Sequence, residues 1–496
     1  MASISLTDAQ PPFVLVLDLG TSSLRALLFD ARARAVQGFS VRRVYRADTD
    51  DNGRATFDAR ALFATFDDAL DELVSRIDFE IGAVAASSLA SNLLALDENG
   101  EPLTPAYLYA DTQNARAVDA LRAAHAWDAL YTRTGCPLHT SYLPARLVWL
   151  RETQPAIFAR AKRWVSLYEF FLLKIFGQSA VSHSFAAWSG LLNQTTLDWD
   201  DEILQIANVT RAQFSPLTSA YAGQRGLRRA YATRWPALAN CVWLPALGDG
   251  ALANLGSGCV DATRLAVTIG TSGALRVVLP AAQALAELPR GLWLYRVDET
   301  DGLVGGSLNN GGNVFAYYAR TLQLPPAAEL ERALEALAPD THGLTLLPFF
   351  AGERSPGYRG DARAALVGWT LATTPTEIWR ATLEALAYRC AAIYDLLRGV
   401  PSARECIASG AALEHSRVWV QILADVLEVP VTVSGEAEAS ARGAALIALR
   451  ALGIISNFAA LPAALGETFA PRADFFQTYQ RARERQKMLY HSLLQT

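Results

Sequence analysis

The chain has 496 residues, with 44 basic and 49 acidic side chains and a net charge of −5. That length suggests roughly two to four domains of ordinary size, and 51% hydrophobic against 19% charged residues excludes wholesale disorder. The mildly acidic balance gives no electrostatic reason to expect nucleic acid or an anionic membrane as partner.

Residues 1–12 lack a basic start followed by an apolar run, so no secretory leader is expected. Residues 14–28 read VLVLDLGTSSLRALL, two apolar runs joined by Gly20-Thr21-Ser22, which predicts a hairpin with free N–H groups and hydroxyls at its tip. Residues 61–76 are amphipathic, with Leu62, Phe63, Phe66, Leu70, Leu73 and Val74 at helical spacing. Residues 81–86 and 93–96 read as short strands, the second followed by turn residues 97–100. Residues 146–151 and 164–176 read as helices. The uncharged run 175–197 is interrupted by Gln178, Ser182, His183, Ser184 and Asn193, so it predicts a buried or loop segment and no membrane span.

The hairpin pattern then returns. Residues 265–278 read LAVTIGTSGALRVV, and Gly270-Thr271-Ser272 stands 250 positions after the first Gly-Thr-Ser, about half the chain. One such turn is ordinary turn chemistry. Two in matching contexts predict related lobes, each presenting a phosphate-binding tip to one ligand. The boundary is expected near residues 245–250, dividing the chain into 11–246 and 247–490. Further on, 344–350 reads as a strand ending in the loop 351–357, 376–397 as a long helix, and 419–427 and 439–452 as helices around the strand 430–433. This alternation is α/β throughout.

Chemistry-bearing residues are few. Cys136, Cys241, Cys259, Cys390 and Cys406 are odd in number and never at CxxC spacing, which fits a reducing cytoplasm and no disulfide framework. The lysines are Lys162, Lys174 and Lys487, and none stands in a P-loop or protein-kinase motif. Asp18 ends the first hairpin strand beside the Gly-Thr-Ser tip. It is either a turn-bonding residue or the holder of a Mg²⁺ ion between itself and a phosphate. Asp249, in Gly248-Asp249-Gly250, is either a helix cap or a base at the lobe junction. Asn309-Asn310-Gly311-Gly312 and Ser409-Gly410-Ala411-Ala412 are small-residue turns against which a nucleoside fits.

Taken in order, these segments resemble the FGGY family of carbohydrate kinases within the actin/hexokinase/Hsp70-like ATPase superfamily. The resemblance is carried by DLGTSSLR (18–25), SYLPARLVWLRE (141–152), GDGALANLGSG (248–258), TIGTSGALR (268–276), VGGSLNNGG (304–312), LPFFAGERSP (347–356), Ala364-x-Leu366-x-Gly368 leading to Glu377-Ile378-x-x-Ala381-Thr382-Leu383-Glu384, and SGAALEHSRVWVQILADVLEVPV (409–431). It implies two actin-like (ribonuclease H-like) lobes around a cleft, with sugar on the first and ATP on the second. Asp249 would be the general base and Asp18 the Mg²⁺ holder through water. Gly20, Thr21, Ser22, Gly270, Thr271 and Ser272 would surround the ATP phosphates, and Gly312, Gly410 and Ala411 the nucleoside.

The wording around 248–258 and 268–276 looks most like the gluconate-kinase branch, with xylulose kinases next. Substrate contacts are expected from Ser91, Asn92, Asp111, Gln113 and Asp249, with Trp188 as a ring contact or core residue. The chain departs from its relatives at Ala90-Ser91 and at Gln113, where an arginine is usual. Losing that cation weakens the case for a carboxylate-bearing substrate unless Arg25 or Arg116 supplies the charge. The expected activity is ATP-dependent phosphorylation of a sugar or sugar-acid hydroxyl. A ketopentose or polyol kinase and a catalytically silent sugar sensor are the alternatives, and a homodimer is an open option for the assembly.

Overall fold

The computed structural model describes residues 3–286, 288–398 and 403–494. Two sheets organise it. The first contains β1 (Phe13–Leu19), β2 (Ser23–Phe29), β3 (Ala35–Val44), β4 (Ile81–Ser88) and β5 (Val242–Gly248), in the spatial order β5-β4-β1-β2-β3. The second contains β6 (Arg264–Ile269), β7 (Gly273–Pro280), β8 (Trp293–Arg296), β9 (Asp301–Leu308), β10 (Glu405–Ser409), β11 (Val431–Ser434) and β12 (Leu465–Phe469), in the order β8-β9-β7-β6-β10-β11-β12. Without the edge strands β8 and β12 the two orders coincide. In each, three antiparallel strands begin the lobe and two further strands add in parallel. The half-chain repeat is therefore a repeat of topology, and the fold is the expected pair of actin-like lobes.

Local chemistry explains the main helices. In α1 (Ala59–Val74) the Asp58 side chain accepts from the Arg60 and Ala61 N–H groups, and Leu62, Phe66, Leu70 and Leu73 form the buried stripe. The helix expected over 164–176 is instead a strand, Arg163–Val165, followed by α2 (Leu167–Phe176). The break is Ser166, whose hydroxyl caps α2 while Glu169 reaches back to the Ser166 N–H. The strand expected over 344–350 shrinks to Thr345–Leu347, because Pro348 has no N–H for the ladder. Below the hairpins lie α3 (Asp249–Gly256) and α4 (Gly312–Thr321). The long helix α5 (Pro375–Leu397) opens with a Thr374–Glu377 capping box and Pro375 in its first turn.

The lobes are joined by α3 and by α6 (Ala439–Ala451). Although α6 follows β11 of the second sheet, its buried Ala441 and Ala444 through Leu449 belong to the core around the first sheet. The two helices approach at glycines. A Cβ on Gly256 would lie 1.8 Å from Ala439 O, and one on Gly443 would lie 2.0 Å from Leu252 O. The junction expected after residue 246 falls inside β5, where Leu247 and Gly248 still pair with Ser87 and Ser88 of the first sheet.

A second seam runs along β8. Its free edge is occupied by the first lobe, with Leu294 N donating to Gly135 O (2.9 Å) and Gln194 Nε2 to Leu294 O (3.1 Å). Arg296 reaches back to Gln194 Oε1 (2.7 Å).

Gly443→Ala should destabilise the protein by about 1–3 kcal/mol, because the backbone of α3 cannot yield to a methyl group. A thermal melt checks this, and an unchanged melting temperature would mean that the helices can separate at no cost.

Candidate active site between the lobes

The first hairpin carries its own ion pair. Asp18 and Arg25 are cross-strand partners, and their side chains form a salt bridge. Arg25 also donates to Glu438, the residue that precedes α6. Asp18 is buried, whereas Thr21 and Ser22 at the tip are exposed. Tyr45 holds the turn by donating its hydroxyl to Gly20 O (2.7 Å). A cavity of about 340 Å³ opens beside Glu438, lined by Arg32, Arg34 and Arg442 among others, and Asp249 is not part of its wall.

The second hairpin is braced by α4. Gly312 N donates to Gly270 O (2.7 Å) and Asn313 N to Thr271 O (3.1 Å). A Cβ on Gly312 would lie 2.7 Å from Gly270 O, so the contact requires glycine. Gly410, at φ +97°, passes the same hairpin from the other side, where a Cβ would meet Ile269 O at 2.5 Å. Thus Gly270-Thr271-Ser272, Gly312 and the Gly410-Ala411 turn gather on one face of the second lobe, with Thr271, Ser272 and Ala411 exposed.

Asp249 is the first residue of α3, and its Oδ1 accepts from Gly250 N (2.8 Å). Burial pushes its carboxyl up to about 6, the nearby Asp18 charge adds to the rise, and the Gly250 N–H and Arg276 oppose it. Arg276, on β7, is buried and forms no salt bridge with a carboxylate among the described residues. It donates to Thr268 Oγ1 (2.7 Å), which bonds Ser409 Oγ (2.9 Å), and its Nε has no partner.

The flanking glycines have a steric cause. A Cβ on Gly250 would stand 2.7 Å from Arg276 Nη1, and one on Gly248 would stand 2.4 Å from Trp188 Nε1. Trp188 stacks on Tyr295 of β8 (centroids 3.8 Å apart), Tyr295 stacks on Trp293 (4.2 Å), and the Tyr295 and Tyr142 hydroxyls meet at 2.7 Å. The general-base candidate therefore sits against an aromatic wall built by both lobes.

The other expected substrate residues divide. Ser91, at φ +54°, donates to Trp188 O (2.5 Å) and so joins this wall. Asn92 is turned into the first lobe, where it donates to Leu89 O (2.6 Å) and accepts from Leu167 N at the start of α2 (2.7 Å). Asp111 is fully buried; it accepts from Ala55 N (2.9 Å) and Gln113 N (3.1 Å) and pairs with Arg146. Asn92 and Asp111 are thus both buried, and the partners seen here are backbone groups and Arg146. Gln113 is half-buried. Neither of the spare cations is well suited to a substrate: Arg25 is held by Asp18 and Glu438, and Arg116 is exposed on the helix Ala115–Ala124.

Sequence reasoning missed Tyr109, Arg276 and Arg354. Tyr109 is half-buried and its phenol is raised by burial and then by the Asp249 charge, with Arg354 opposing. Both arginines lie inside motifs already singled out, and the missing signal was that neither has an acid to pair with.

The N-terminal domain of the FGGY family of carbohydrate kinases matches residues 13–256, and the C-terminal domain of the same family matches residues 265–452. The chain belongs to the FGGY family of carbohydrate kinases. Among FGGY relatives, a gluconokinase from Bacillus licheniformis is 29% identical over 486 residues, covering 95% of this chain and 94% of that protein. The fold matches a gluconate kinase from Lactobacillus acidophilus with TM-score 0.90 at 24% identity, over 97% of this chain and 98% of that one. A ligand-bound xylulose kinase from the same organism gives the same TM-score, identity and coverage.

Asp249→Asn should cut sugar-dependent ATP turnover by at least about 10²-fold with nucleotide affinity nearly unchanged. In the unsubstituted protein kcat/KM should fall as pH drops through about 6, where the carboxylate takes up its proton. Ionising a carboxyl whose pKa is raised by folding disfavours the folded state above that pH. The same variant should therefore melt higher at pH 7.5. Full activity in Asp249→Asn would remove the residue from the reaction.

Proposed function

We propose that the chain transfers the terminal phosphoryl group of ATP to a hydroxyl of a sugar acid of the gluconate type, with ATP held mainly by the second lobe and the sugar by the first. The observation that carries this reading is the placement of Asp249: a carboxylate with a pKa near neutrality, between the acid end of one Gly-Thr-Ser hairpin and the Arg276 base of the other. A base poised close to working pH removes a proton efficiently as the hydroxyl attacks. The full-length similarity to a gluconokinase supports the substrate class.

In this reading the N–H groups and hydroxyls at Gly20, Thr21, Ser22, Gly270, Thr271 and Ser272 orient the phosphates. Gly312, Gly410 and Ala411 let the nucleoside lie close to the backbone, and Arg276 adds positive charge beside Asp249. The acceptor hydroxyl lies against Asp249 with Trp188 covering the sugar. Phosphoryl transfer depends mostly on such positioning and charge neutralisation.

Mg²⁺ fits the donor set. Asp18 and Asp249 are oxygen donors, the Asp249 carboxyl being raised by burial and then by the Asp18 charge, and hard divalent cations favour such sites. Asp18 would hold the ion through water, and the ion would neutralise phosphate charge. The five cysteines are buried and unpaired, which suits a reducing compartment such as the cytoplasm. Among the described residues no helix is long and apolar enough to cross a membrane.

A ketopentose kinase is the second reading, favoured by the neutral Gln113 and by the xylulose-kinase likeness. Coupled ADP detection with gluconate, xylulose, ribulose and erythritol separates the two. Gluconate should give the highest kcat/KM, and a preference for xylulose would replace the first reading with the second. Asp18→Asn should raise the Mg²⁺ concentration for half-maximal turnover severalfold, and an unchanged Mg²⁺ titration would count against the metal role.

A further inference from the structure

The loop that follows the strand Thr345–Leu347 presents neighbouring residues in opposite directions. Glu353 turns into the second lobe, where it pairs with Arg389 and accepts from the Tyr490 hydroxyl (2.7 Å) and Gly357 N (3.3 Å). Ser355 is fully buried and locked to β9, donating its N–H to Ser307 O (2.9 Å) and accepting from Ser307 N (3.1 Å). These anchors send Arg354 the other way. Its charge acts on Tyr109, His139 and Tyr142 of the first lobe and on Tyr295 and Tyr358 of the second.

Arg354 has no acid partner. No salt bridge or side-chain hydrogen bond is formed by its guanidinium among the described residues, and Nε is buried without a partner. Two buried arginines nearby are neutralised, Arg389 by Glu353 and Arg146 by Asp111. Its surroundings supply no anion either. Burial, and then Arg354 itself, push His139 down to about 3, so that ring is neutral, and burial raises the Tyr142 and Tyr295 phenols well above their ordinary range. The Arg354 side chain is half-buried with Nε shut off from water, and an anion with two parallel oxygens best compensates such a partly desolvated guanidinium.

Arg354 and Asp249 share a neighbour, Tyr109, and both charges act on it. Asp249 marks the end that is phosphorylated. Tyr109 lies in the field of both charges, its phenol raised by Asp249 and lowered by Arg354. The Trp188–Tyr295 stack shares Tyr295 with the environment of Arg354.

We infer that Arg354 is the specificity-determining cation for this chain, binding the carboxylate of an aldonate whose far hydroxyl lies against Asp249. This rests on the kinase reading. It assigns to a second-lobe loop the charge that Gln113 does not provide on the first.

The experiment is steady-state kinetics on the full chain with gluconate and its neutral isostere gluconamide. The unsubstituted protein should show a KM for gluconamide at least about 10-fold above that for gluconate. Arg354→Gln should raise the gluconate KM about 10- to 100-fold, the size expected for a charge-assisted hydrogen bond. The same variant should leave KM for ATP and for gluconamide within about twofold, and Arg354→Lys should recover part of the loss. Equal KM values for the two sugars in the unsubstituted protein would overturn the inference without any variant having to fold. So would an Arg354→Gln loss shared equally by gluconate and gluconamide. Turnover of xylulose but of no aldonate would overturn it while leaving a kinase, whereas no ADP formation with any sugar would overturn the kinase reading itself.

Discussion

The approach of α3 to α6 sets the geometry on which the site depends. With glycine at 256 and 443 the two backbones come closer than any side chain permits, and each helix begins with a functional group. Asp249 opens α3, and Glu438, just before α6, grips Arg25 of the first hairpin. Ser440 in the first turn of α6 donates to Asp249 O (3.4 Å). One packing contact therefore places the end of the first sheet, the junction acid and the second lobe relative to one another. A helix pair held at ordinary separation would move Asp249 away from Asp18 and Arg276 together, because all three are fixed to elements that this contact joins.

Around that contact the charges are left deliberately unbalanced. Several buried charges elsewhere are paired: Arg146 with Asp111, Arg380 with Glu384, Asp425 with Arg472. The group Asp340, His342 and Glu384 has the spacing of a metal site, yet Arg380, Tyr388 and Arg485 already satisfy its acids. Between the lobes, Arg276 and Arg354 form no salt bridge among the described residues, and Asp249 ionises reluctantly. Unbalanced groups of this kind cluster at functional sites.

What the sequence disclosed follows the range of the interactions. The hairpins were legible because strand, turn and strand are contiguous, and their duplication revealed the two lobes. Asp249 was legible because glycines on both sides imply close neighbours, although Trp188 and Arg276, the neighbours that demand them, lie far off in the chain. The Ser166–Glu169 capping box was present in the letters and was overlooked beneath a run of apolar residues. Helix α6 was recognisable as a helix, but its alanines and leucines do not say that the first sheet covers them. The backbone partners of Asn92 and Asp111, Leu167 N and Ala55 N, were not legible because they are distant in sequence.

In the inferred site the cation that Gln113 does not provide stands on the second lobe. With a cation on the first lobe, both ends of a sugar acid would be read by the same rigid body. Here Asp249 is continuous with β5 of the first sheet, while Arg354 rides on a loop pinned to β9 of the second. A ligand that satisfies both must span the seam between lobes, so its binding energy also favours their approach. A neutral sugar of the same length would make the hydroxyl contacts yet leave the half-buried guanidinium without a counter-charge. Discrimination then comes as much from that penalty as from the ion pair gained.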